Sequence, residues 1–124
     1  MTSPVALPII AFFLIILIDL PWLLYQGMAS AGMWRAIQGG RPAEMRIFAA
    51  IPVYVALTYL LLKQESLKEA VLAGAAVYAV YDFTNLVVFK DYTFTFAIQD
   101  TLWGGTLFGI AYLLLKRVKK TIGA

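Results

Sequence analysis

The chain contains neither cysteine nor histidine. Disulfides, thiolate nucleophiles, thiolate or imidazole zinc sites and imidazole acid–base chemistry are therefore excluded. Charge is scarce as well: only 14% of the 124 residues are Asp, Glu, Lys or Arg. A soluble domain carries about 25% charged residues, so this chain lacks the polar surface needed to face water. No intramembrane serine, no cofactor motif and no Gly-rich phosphate loop following a strand is present, which argues against hydrolysis and against a bound nucleotide or other cofactor.

What is present is apolar. Hydrophobic residues make up 62% of the chain, and the mean hydropathy is +0.82. About 20 consecutive apolar residues cross a bilayer as a helix. Four such segments are expected, at roughly 5–26, 47–62, 69–89 and 93–115. They predict an all-α integral membrane protein, a single domain over 1–124 made of four transmembrane helices in a small antiparallel bundle. The connection "ASAGMWRAIQGGRPAEMR" has room for a short interfacial helix with Trp34 at headgroup level. The first segment reads as a retained helix and not a signal peptide, because no basic residue precedes it and Asp19 interrupts it.

The net charge is +3. In a membrane chain basic residues set orientation more often than they bind nucleic acid, and no nucleic-acid partner is expected. With four spans, Lys63, Lys68, Lys116, Arg117, Lys119 and Lys120 share one side, against Arg35, Arg41, Arg46 and Lys90 on the other. That bias predicts cytoplasmic termini. The run Lys116, Arg117, Lys119 and Lys120 reads first as an anchor after the last helix, and more sharply as a site for anionic lipid headgroups.

Three of the seven acids, Asp19, Asp82 and Asp100, fall well within spans that contain no Lys or Arg, whereas Glu69 stands at the very start of one. An Asp near the bilayer centre is unfavourable by about 2.5–3.5 kcal/mol. Following the chain direction, all three lie in the same half of the membrane, each within about 6 Å of its helix centre at 1.5 Å per residue. One shared polar layer is the expectation. On the third segment Tyr78, Asp82 and Asn85 share a face, with Tyr81 four residues before Asn85. On the fourth, Asp100, Trp103 and Gly104 do so, while Gly105 and Gly109 form a small-residue pair for close backbone approach. On the first, Trp22 follows Asp19 by one turn, and Pro21 leaves the Leu17 carbonyl without its helical donor. The interrupted turn is expected to line a polar pocket open toward one side. Thr84 and Gln99 read as locally satisfied, and the remaining tyrosines and Trp34 as interfacial or packing residues.

The combination of "DLPW" (Asp19, Trp22), "YDFTN" (Tyr81, Asp82, Thr84, Asn85) and "DTLWG" (Asp100, Trp103, Gly104) resembles the predicted membrane protein family filed as domain of unknown function 2177. The likeness covers nearly the whole chain in length, span number and motif order. It implies a compact helical membrane protein of bacteria and some large DNA viruses, and it implies no particular activity.

Three functions compete. The acid layer could bind or pass a proton, a hard cation or a small polar solute, with no resident metal and, because four helices make a thin wall, through a homo-oligomer. It could instead exchange protons with a lipid or isoprenoid held between Trp22 and Trp103, as a membrane enzyme or carrier. Or it could fix helix register in a structural protein surrounded by membrane lipids. The first is the leading expectation.

Overall fold

The computed structural model describes residues 5–41 and 44–123. They form five α-helices: α1 (Ala6–Ala29), α2 (Ala31–Ile37), α3 (Ala50–Leu62), α4 (Leu67–Val88) and α5 (Phe94–Ile122). A 3-10 turn, Ile47–Ala49, leads into α3. No strand occurs among the described residues.

The helix ends follow local chemistry. Ser66 caps α4 by accepting the Glu69 N–H at 3.1 Å, and Glu69 itself adds negative charge to the first turn. Thr93 caps α5 by accepting the Phe96 N–H at 3.1 Å. That helix stops at Gly123, whose φ of 73° is the left-handed conformation common after a helix end. Only 89–93 separates α4 from α5, which folds the two into an antiparallel hairpin.

This hairpin is the tightest part of the molecule. A Cβ placed on Gly74 would lie 2.2 Å from the Gly104 carbonyl oxygen, and one on Gly104 would lie 2.6 Å from that of Gly74. The two backbones therefore touch, which only glycine permits. Gly105 and Gly109 continue the seam against Val71, as their spacing predicts. Around it Ala11 and Ile15 of α1, Leu57 and Leu61 of α3, Ala70 of α4, and Leu107, Phe108, Ala111 and Leu115 of α5 bury one shared core.

Outside that core many large apolar side chains face outward. Leu17, Leu24, Phe48, Val80 and Val87 are all exposed. Large exposed apolar areas on a chain this size mark contact with a non-aqueous environment. Two helices, α1 and α4, are both long and apolar enough to cross a membrane.

Several boundaries depart from the sequence reading. The segment expected at 47–62 divides into the 3-10 turn and a 13-residue α3. At 1.5 Å per residue α3 extends about 20 Å, short of the ~30 Å hydrocarbon core. Helix α5 continues to Ile122, so Lys116, Arg117, Lys119 and Lys120 ride on its last turns and do not follow it. There the basic side chains face the negative end of the helix dipole. The short helix expected in the first connection is α2.

Candidate functional site

Asp19 on α1 and Asp100 on α5 are both nearly inaccessible, at 3% and 6% exposure. Each helix carries the same pattern, an Asp followed three residues later by a Trp, which sets acid and indole on one face. The helices run antiparallel, so the acid of each lies opposite the indole of the other. Trp103 Nε1–H donates to Asp19 Oδ1 at 2.7 Å, and Trp22 Nε1–H donates to Asp100 Oδ1 at 2.8 Å. The two indoles stack between these bonds, centroids 5.8 Å apart and planes inclined by 21°. The second oxygen of Asp19 accepts the Tyr54 hydroxyl of α3.

Asp82 on α4 is fully buried. Its Oδ1 accepts the Tyr92 hydroxyl at 2.6 Å, and its Oδ2 lies 3.5 Å from Thr101 Oγ1. The carboxyl of Asp100 is its immediate neighbour. Asn85, one turn further along α4, stands beside the hydroxyls of Tyr81 and Tyr92. Tyr78 fills the layer from below, its ring against Gly104 and its hydroxyl in the field of Asp19, Asp100 and Asp82. The acids of three helices thus meet in one layer, and their hydrogen bonds run to side chains of neighbouring elements.

Tyr92 belongs to the loop between α4 and α5 yet is only 3% exposed. Its ring meets Trp34 edge-on at 5.9 Å and Phe96 at 5.5 Å. Burial, and then the bond to Asp82, push the Tyr92 hydroxyl above the ordinary tyrosine range, so it remains a donor at neutral pH.

Other candidates take different positions. Gly104 serves the α4–α5 seam, where its missing side chain admits the Gly74 backbone and the Tyr78 ring. Tyr81 keeps half its surface exposed. Lys116, Arg117, Lys119 and Lys120 begin 16 residues beyond Asp100, about 24 Å along the helix axis, and are separate from the acid layer. Pro21 does not interrupt α1, which stays helical from Ala6 to Ala29. Both Pro21 and Leu17 lie on the exposed face of that helix, so the carbonyl freed there belongs to the face opposite the buried Asp19. The three carboxyls are nearly inaccessible, and every buried side-chain nitrogen and oxygen among the described residues has a hydrogen-bond partner. A 250 Å³ groove between α1 and α3, lined by Pro8, Ile9, Phe12, Phe13, Val55 and Thr58, contains none of the candidate residues.

Three partners were invisible to helical spacing: Tyr54, Tyr92 and Thr101. The sequence alone places Tyr54 and Tyr92 among the interfacial or packing residues. The available signal was depth, since Tyr54 on the descending α3 lies level with Asp19 on the ascending α1. Among the described residues no three acids come together in the manner of a metal site.

No curated protein and no solved structure matches the chain. Residues 4–114, which include the crossed Asp–Trp pairs and the buried Asp82, match the family described as predicted membrane protein (DUF2177). The chain belongs to that family.

Proposed function

We propose that α1, α3, α4 and α5 all cross the membrane, with both termini cytoplasmic, and that the acid layer binds a proton and passes it between the two sides. The observation that carries this reading is the adjacency of the Asp82 and Asp100 carboxyls deep in the bundle, with no Lys or Arg within 5–26, 47–62, 69–89 or 93–115. Two carboxylates side by side in a medium of low dielectric cannot both stay ionised cheaply, and a shared proton relieves the repulsion. A hard cation is the weaker ligand for this layer, because Asp19 spends its oxygens on Tyr54 and Trp103 and the acids form no three-ligand cluster.

Passage across the bilayer in this reading involves a homo-oligomer, since the four helices close on their own core. Anionic lipid headgroups are the partners of Lys116, Arg117, Lys119 and Lys120 at the cytoplasmic face. The test is proton uptake into liposomes under a pH gradient. Asp82→Asn and Asp100→Asn should each abolish it, and uptake unchanged in both variants refutes the proposal.

One observation favours a second reading. The crossed Trp22–Asp100 and Trp103–Asp19 bonds satisfy their acids fully enough to serve as a register device between α1 and α5. Under that reading Asp-to-Asn variants lose assembly and stability, and no proton moves in the intact protein.

A further inference from the structure

The side of the layer facing α2 is stopped by a set of side chains that the proton reading does not require. Tyr92 reaches inward from its loop to Asp82 at 2.6 Å, so its ring occupies the space between the loop and the acids. Over that ring lies α2: Trp34 packs edge-on against Tyr92 and Phe96, with centroids 5.9 and 5.4 Å away, and Met33 is buried beside them.

The attachments of α2 are unequal to those beneath it. Met33 Sδ accepts the Thr93 N–H at 3.3 Å and its hydroxyl at 3.6 Å, and thioether sulfur is a weak acceptor. Trp34 Nε1–H donates to Gln26 Oε1 at 2.9 Å in a half-buried position. Both ends of α2 can turn: Ser30 alone joins it to α1, and Gly39 and Gly40 follow it at φ of 74° and 84°. A short helix between two pivots, held by weak bonds over a buried hydroxyl–carboxylate contact, has the construction of a lid.

We infer that α2, through Met33 and Trp34, and the Tyr92 ring beneath it form a closed lid over the Asp82–Asp100 pair, and that the layer is reached from the α2 side when the lid lifts. This rests on the acid layer being a site reached from bulk solvent, but not on what reaches it. The opposite end of the layer is closed by the Gly74–Gly104 backbone contact and the core around Phe108, neither of which has a comparable pivot.

The native chain has no cysteine, so one introduced thiol reports without background. Thr101→Cys places it 3.5 Å from the Asp82 carboxylate in the native geometry. The full chain in oriented vesicles is labelled with a membrane-impermeant maleimide, added to each side in turn. Labelling should be slow from both sides in the otherwise native chain. Tyr92→Ala should raise the rate from the α2 side on the order of tenfold, the population change given by losing one buried hydrogen bond. Trp34→Ala, which leaves the acid layer untouched, should act in the same direction and carries the test should Tyr92→Ala fail to fold. Rates unchanged by the variants, or raised equally from both sides, overturn the lid. Should proton uptake survive both aspartate variants while labelling still opens from the α2 side, the proton reading falls and the lid stands. Uptake lost in the aspartate variants with labelling unaffected by Trp34→Ala and Tyr92→Ala has the reverse meaning.

Discussion

Trp22 and Trp103 each hydrogen-bond the acid that sits one turn from the other, Trp22 to Asp100 and Trp103 to Asp19, with their rings stacked between the two bonds. The crossing makes the bonds mutually dependent, because each fixes the helix face that presents the other. Trp22→Phe and Trp103→Phe keep the stacked rings and remove the donors. Each should destabilise the protein by about 1–3 kcal/mol, the penalty for a buried acceptor left unpaired. The double variant should depart from additivity by about 0.5 kcal/mol or more. Reversible unfolding in mixed micelles measures both, and strict additivity would show that the pairs act separately.

The α4–α5 seam gives a steric prediction. Gly74→Ala and Gly104→Ala drive a methyl into the facing backbone, at 2.2 and 2.6 Å from a carbonyl oxygen. Backbone cannot rotate aside as a side chain does, so the helices must separate, and the expected loss is about 3 kcal/mol or more. Gly27 and Gly32 have open space around the same position. Alanine there should be neutral or stabilising by about 0.5–1 kcal/mol, since both lie in helices. Similar losses at all four sites would refute a backbone contact between α4 and α5.

Tyr54 and Tyr92 invite a matched comparison. Both hydroxyls donate to buried carboxylates, Tyr54 to Asp19 and Tyr92 to Asp82. Phenylalanine keeps either ring and deletes one donor. Asp19 retains Trp103, and Asp82 retains only the 3.5 Å contact with Thr101 besides the neighbouring acid. Tyr92→Phe should therefore lower the unfolding midpoint more than Tyr54→Phe does. The opposite order would mean that Asp82 is held chiefly by its neighbouring acid.

Alkaline pH separates the Tyr92 hydroxyl from the rest. Burial and its bond to Asp82 raise its ionisation above that of an unfolded tyrosine, which titrates near 10. The folded state thus favours the protonated phenol. The resulting stability is complete below pH ~10 and is lost as pH rises from there through the folded value. Stability measured from pH 8 to 11 should fall at the upper end, and Tyr92→Phe should make that fall shallower. An unaltered alkaline slope in the variant would exclude Tyr92 as a contributor.

Much of the site could be read from the residues, for a simple reason. Depth along a helix is counted in residues, so Asp19, Asp82 and Asp100 could be set at one level without coordinates, and the seam glycines Gly105 and Gly109 were apparent from their spacing. Rotation about each axis is set by packing, which one helix alone does not specify. The exchange of partners between Asp19–Trp22 and Asp100–Trp103 was hidden for that reason, although both motifs were plain. Tyr92 escaped because a loop residue has no period to place it. Pro21 misled, since a missing N–H matters only on the face where the carbonyl is needed, and its face is the outer one. The extent of α3 also escaped, because the apolar run from Ile47 does not reveal that its first turn is 3-10.

The swapped indole bonds have a mechanical consequence. Sliding α1 past α5 in either direction stretches both bonds together, since each joins an earlier residue of one helix to a later residue of the other. The α1–α5 contact therefore behaves as a detent with a single seated position and no intermediate stops. With α4 and α5 locked backbone to backbone, the same two bonds set α1 in register with that stiff pair.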